Sequence, residues 1–273
     1  FNGILYYPVD KAGNMKLQAN GKLPVVVYSH QYAHSTGFTH GYDKHGRNGT
    51  IPLFKELISN GFAVLATDMY GFGTRIEEAK NFYQRYPGWS KMGKYITDVK
   101  GSIDGLESLE YIDKKHIYLL GNTLGGSISL MTTALDPRVA GVAVVAAFSP
   151  WRASNSRFES LKTYSHLHGN IPRLGFFDDD PQKVPVDFGE IIAAIAPRPT
   201  MIIAPDLDRY TDITALKSSM KPVVKVFGLH QKEANLIVKY PHEINRMTEG
   251  MYKEVSRFYT NLLKANNSSG NTR

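Results

Sequence analysis

An α/β fold, a mostly parallel, doubly wound sheet with helices on both faces, is predicted from three observations. Short aliphatic or β-branched runs alternate with longer amphipathic stretches along the 273 residues. The strongest of these runs are apolar from end to end, as strands buried on both faces of a sheet are. A glycine-rich turn, LLGNTLGG at 119–126, joins one run to a helical stretch. Alternation of this kind means βαβ units and a sheet covered on both sides.

The elements follow in order. FNGILYYP opens the chain as a strand-like segment, LPVVVYSH (23–30) is a buried strand, and IPLFKELISNG (51–61) is a helix ended by Gly61. FAVLATD (62–68) is the next strand. Within 92–112, Ile96, Val99, Ile103, Leu106 and Leu109 recur at three- and four-residue steps, which is one face of a helix. HIYLLG (116–121) and VAGVAVVAAF (139–148) are strands, with the helix GGSISLMTTAL (125–135) between them. FGEIIAAIA (188–196) is a helix, PTMIIAP (199–205) a strand, NLIVKYP (235–241) the last strand, and 247–265 the closing helix. The stretch 213–230, ITALKSSMKPVVKVFGLH, is open to helix and strand alike, because Pro222 stands among valines. Residues 150–187 break the rhythm and are expected to cross the carboxyl edge of the sheet, where open α/β sheets bind ligands.

One domain is expected over 1–265, followed by a disordered tail, NNSSGNTR, at 266–273. The chain begins at Phe1 rather than Met, so a trimmed mature form or a piece of a longer protein is expected. With 42% hydrophobic and 21% charged residues the chain can bury a sizeable core and is not a disorder candidate. The formal charge is +7, but Lys and Arg are scattered, so no nucleic-acid partner is expected. A mildly basic surface suits an anionic substrate such as an acidic polysaccharide, or serves solubility alone. There is no cysteine, which excludes disulfides, zinc–thiolate sites and cysteine nucleophiles and suits oxidising and reducing compartments alike. No apolar run reaches the roughly 18 residues of a membrane span.

LLGNTLGG has the spacing of a nucleophile elbow, a tight strand-to-helix turn that presents a hydroxyl. Gly121, Gly125 and Gly126 remove side chains where such a turn packs, and Thr123 stands where serine is usual. An elbow predicts an acid and then a histidine later in the chain. The acid is expected after PTMIIAP, at Asp208, with Asp206 and Asp212 as alternatives; the histidine is expected after the last strand, at His242, with His230 as its rival. In the implied chemistry His242 takes the Thr123 hydroxyl proton during attack on an ester carbonyl, and Asp208 orients the imidazole. The oxyanion then needs two backbone donors: Leu124, and Gln31 or Tyr32 in the loop after LPVVVYSH. The same loop carries His30, His34, His40 and His45. Gly37 and Gly41 oppose a helix that would align two of them, no carboxylate or thiolate spacing completes a metal pattern, and no metal or other cofactor is expected.

Several segments together, DMYGFGTRIEEAKNFYQRYPGWSKMGK (68–94), IYLLGNTLGGSISL (117–130), YSHLHGNIPRLGFF (164–177), IAPRPTMIIAPDLDRY (195–210) and YPHEINRM (240–247), resemble α/β-hydrolases of the dienelactone hydrolase and acetylxylan esterase type. The likeness runs from about residue 3 to 263. It implies an α/β-hydrolase fold, a nucleophile at Thr123, an acid at Asp208, a base at His242 and an oxyanion loop at His30–Tyr32. It also implies an N-terminal extension ahead of the first strand and hydrolysis of a small-molecule or carbohydrate ester, such as acyl groups on plant or algal polysaccharides. Threonine is the departure, because an elbow nucleophile sits at positive φ, where a β-branched residue is strained by about 1–3 kcal/mol. Three readings follow: a slow natural nucleophile, an engineered replacement of serine, or a degenerate hydrolase that only binds a carbohydrate. Trp151, Arg152 and Trp89 are candidates to line a substrate cleft, since tryptophan stacks on sugar faces and arginine pairs with carboxylates; ordinary packing under a long loop is the competing reading.

Overall fold

The computed structural model describes residues 3–33, 37–38 and 50–269. Seven strands form one sheet: β1 (Gly3–Tyr6), β2 (Leu23–Ser29), β3 (Ala63–Thr67), β4 (Ile112–Asn122), β5 (Gly141–Val145), β6 (Thr200–Ile203) and β7 (Leu236–Lys239). Their spatial order is β1-β3-β2-β4-β5-β6-β7, and every pair is parallel except β1 with β3. The helices are α1 (Thr50–Ser59), α2 (Phe82–Arg85), α3 (Lys91–Glu107), α4 (Leu124–Leu135), α5 (Ser160–Lys162), α6 (Phe188–Ala193), α7 (Ile213–Leu229) and α8 (Glu249–Ser269).

The apolar runs are continuous because both sheet faces are covered. Successive side chains of a strand point to opposite faces. Val25 and Val27 accordingly join one core with Ile103, Ile128, Leu216 and Phe188, beneath α3, α4, α6 and α7. Val26 and Tyr28 join the other with Leu53, Phe54, Val255 and Tyr259, beneath α1 and α8. Tyr259 also fastens α8 to the sheet: its hydroxyl donates to Leu119 O and accepts from Ala143 N–H.

The open stretch 213–230 is a helix. Leu216, Met220, Val223 and Phe227 supply a buried stripe at helical spacing, while Pro222 lies on the exposed side, where the carbonyl it frees is not enclosed in the core. Asp212, one of the three candidate acids, is the N-cap of this helix and accepts from Thr214 N and Ala215 N. α8 runs to Ser269.

Residues 150–187 form short helical turns, including Trp151–Ala153 and Pro172–Phe177. Asp187 ties the two ends together. Its carboxylate accepts the N–H groups of Trp151 and Arg152, each at 2.9 Å, while capping α6 in a reciprocal box with Glu190.

Candidate active site

The turn at 121–126 has the backbone of an elbow. Thr123 lies at φ 47° and ψ −115°, between the last residue of β4 and the first of α4. Its N–H donates to Val145 O, and its carbonyl accepts from Gly126 N and Ser127 N. The glycines permit contact that no side chain would. A Cβ on Gly121 would lie 2.1 Å from Gly125 O, and one on Gly125 would lie 2.0 Å from Ser29 O. The start of α4 therefore rests directly on backbone at the exit of β2. Thr123 Oγ1 is itself buried and makes no hydrogen bond among the described residues.

Leu124 is the first residue of α4, so its N–H has no acceptor within the helix. On the facing loop, His30 Nδ1 donates to Gln31 O (2.6 Å) and His30 Nε2 accepts from Met69 N–H (3.1 Å). Both ring nitrogens are thus engaged, and burial pushes the pKa of His30 down. His34, His40 and His45 lie outside the described residues; among the described residues no cluster of three His, Asp or Glu could hold a metal. Tyr32 stacks on His168, with ring centroids 4.0 Å apart, and its hydroxyl accepts from Asn170 Nδ2.

The acid and histidine come from the loops after β6 and β7. The two strands pair with a constant offset of 36, Thr200 with Leu236 through Ile203 with Lys239. Backbone bonds carry the pairing past the strands: Ala204 N to Lys239 O, Asp206 N to Pro241 O and Leu207 N to Glu243 O. The same offset sets Asp206 beside His242, whose Nδ1 lies 3.1 Å and 3.2 Å from the two carboxylate oxygens. The expectation of Asp208 as that neighbour is corrected. Asp208 is buried and accepts from Tyr210 N, Thr211 Oγ1 and Asn245 Nδ2, which staples the two loops together. His230, the rival histidine, follows α7 and precedes β7.

Two of the cleft candidates are structural. Trp151 is 4% exposed and packs against Tyr164 and Phe188, so it offers no ring face to a sugar. Arg152 is held by Val184 O, Pro185 O and the Glu190 carboxylate, which fasten the end of the excursion. Trp89 is 51% exposed, beside Tyr86. Arg75 is a further buried guanidinium, paired with Glu78 and Asp98. Sequence reasoning passed over Asn122, whose Nδ2 donates to Gln31 Oε1 at 3.1 Å. A polar residue directly after the apolar run IYLLG, at the tip of β4, was the available signal.

A family model described as serine aminopeptidase, S33, matches residues 35–185, which includes the elbow. YtaP of Bacillus subtilis (strain 168), which carries a hydrolase name, is 25% identical over 224 residues, covering 77% of this chain and 69% of its own length. Carbohydrate esterase MZ0003, from an unknown prokaryotic organism, is 26% identical over 129 residues, 45% of this chain and 30% of that protein. Among solved structures, a CE15 glucuronoyl esterase from Caldicellulosiruptor kristjansonii superposes with a TM-score of 0.71 at 20% identity, covering 97% of this chain and 73% of that one. A second CE15 glucuronoyl esterase, from Teredinibacter turnerae T7901, gives 0.70 at 14% identity, covering 90% and 68%. At these identities the structural likeness concerns the fold, which is that of the α/β-hydrolases.

Proposed function

Because the chain belongs to the serine aminopeptidase S33 family, we propose that it is a carboxylic ester hydrolase acting on a carbohydrate ester or another small ester. The observation that carries this reading is the backbone of Thr123 at φ 47° and ψ −115°. A β-branched residue there is strained by about 1–3 kcal/mol, and strain of this kind clusters at functional sites. The pairing of His242 with Asp206 supports it, as do the esterase names of MZ0003 and of the two solved glucuronoyl esterases.

On this reading Thr123 Oγ1 attacks the ester carbonyl carbon, and its proton passes to Nε2 of His242. Asp206 holds Nδ1 and stabilises the imidazolium. The N–H groups of Leu124 and of Gln31 or Tyr32 receive the oxyanion. The bond to the alcohol then breaks as His242 returns the proton to the leaving oxygen. Water, deprotonated by His242, cleaves the acyl-threonine ester and restores the hydroxyl.

One observation favours a second reading, an inactive homologue that binds a carbohydrate. The Thr123 hydroxyl is buried without a hydrogen-bond partner among the described residues and makes no hydrogen bond to His242. Release of p-nitrophenol from p-nitrophenyl acetate by the parent chain, Thr123→Ser and Thr123→Ala separates the two. Ester hydrolysis predicts that serine raises the rate by at least about tenfold, since it removes a crowding methyl, and that alanine abolishes it. Equal background rates in all three would remove Thr123 as nucleophile and leave the binding reading, checked by glycan titration.

A further inference from the structure

The carboxyl ends of β2 and β4 lie side by side, with Ser29 paired to Gly121, so His30 follows in register with Asn122 and the loop after β2 begins beside the end of β4. Each end contributes one of the oxyanion donors named above: Leu124 opens α4, and Gln31 or Tyr32 lies in the loop after β2. Such donors work only when fixed about 3 Å from the place where the oxyanion will form. Backbone pairing and the Gly125–Ser29 contact register the two strand ends; something further has to hold the loop that carries Gln31 to them.

We infer that Asn122 is the positioning residue that does so, by binding the side chain of Gln31. This rests on the proposed ester hydrolysis and deepens it. Asn122 ends β4, is 7% exposed, and donates from Nδ2 to Gln31 Oε1 at 3.1 Å. Gln31 is thereby held from two sides, since its carbonyl already accepts from His30 Nδ1. Its own N–H makes no hydrogen bond among the described residues. The remaining atom of the Asn122 amide argues that the residue is not there for stability. Oδ1 is buried and without a partner among the described residues, a cost that an apolar residue of the same size avoids. What the amide supplies in return is a single bridge from the strand that bears Thr123 and Leu124 to the loop that bears Gln31.

The test is steady-state hydrolysis of p-nitrophenyl acetate by the full chain with Asn122→Ala, Gln31→Ala and the double substitution, beside Thr123→Ala. Misplacing one donor by about 1 Å costs on the order of 100-fold. Each single substitution is expected to lower kcat by about 10- to 100-fold with KM within about twofold, because the interaction is made in the transition state. The double variant is expected to be no slower than the slower single variant, since both remove one bridge. Gln31→Ala removes only a half-buried side chain and keeps the backbone donor, so it reports even if Asn122→Ala fails to fold. Turnover that depends on Thr123 but ignores Asn122 and Gln31, or losses that add in the double variant, overturn this inference alone. Turnover that never depends on Thr123 overturns the ester-hydrolase reading, and this inference with it.

Discussion

Where β4 ends, Thr123 is set in tightly packed surroundings: its N–H is bound to β5, Gly125 lies against the backbone of β2, and its own hydroxyl is buried. Where β7 ends, the His242 side chain stands 79% exposed beside an Asp206 carboxylate that is 33% exposed. The strands differ in the same sense. β4 is buried along nearly its whole length, whereas β7 is the half-buried edge of the sheet. Two strands separate them, so their tips are about 14 Å apart at the usual strand spacing. A nucleophile gains from rigidity, because strain at Thr123 persists only where its surroundings over-determine it. The histidine gains from reach. On the proposed chemistry the contact between them is completed from the β7 side, by the loop that carries His242.

The largest expected effect tests which carboxylate serves that loop. Asp206→Asn is expected to lower kcat for p-nitrophenyl acetate by on the order of a thousandfold, by leaving the imidazole in the wrong tautomer, with little change in stability because the pair is exposed. Asp208→Asn is expected to do the reverse. It weakens three hydrogen bonds to a buried carboxylate, costing about 1–3 kcal/mol in urea unfolding, and leaves kcat within about tenfold. The opposite pattern would return the acid to Asp208.

The next effect tests the rigid side. In Gly125→Ala the new methyl would fall 2.0 Å from Ser29 O and 2.4 Å from Ser29 C, which are backbone atoms of a central strand and cannot yield. The expected loss is about 3 kcal/mol or more in urea unfolding. Gly105→Ala is the control: it lies within α3 with nothing inside 4 Å of its Cβ, and is expected to gain about 0.5–1 kcal/mol. Equal effects at both positions would mean that the elbow is looser than its geometry.

What could be read beforehand divides along the same line. Buried strands and the elbow were legible because they depend on local chemistry: β-branched apolar runs, glycines at fixed spacing, a hydroxyl between them. Asp206 was legible only as one of three carboxylates, because what selects it is the offset of 36 between β6 and β7, a tertiary property. Trp151 was left open between cleft and core for a related reason. The sequence places it at the start of an irregular excursion, yet Asp187, 36 residues on, draws that start back into the core. The Asn122–Gln31 bond joins residues 91 apart, and nothing local to either announces the other.

The smallest effect concerns His30, on the rigid side, which ties the exit of β2 to the loop after β3. Burial holds its pKa below the usual value of about 6.5, against the opposing pull of the Gln31 carbonyl and of Asp68. The sign follows from proton uptake. As pH falls through about 6.5 the unfolded chain binds a proton here that the native chain still refuses, so native stability declines until pH passes the lower native pKa. The slope from this one group cannot exceed about 1.4 kcal/mol per pH unit. Urea unfolding at pH 7.5 and 5.5 is expected to show the parent losing more stability than His30→Asn, whose side chain does not titrate. An equal loss in both would place the acid sensitivity in other groups and leave His30 as a hydrogen-bonding spacer, fixing Gln31 O and Met69 N–H without any electrostatic cost to the fold.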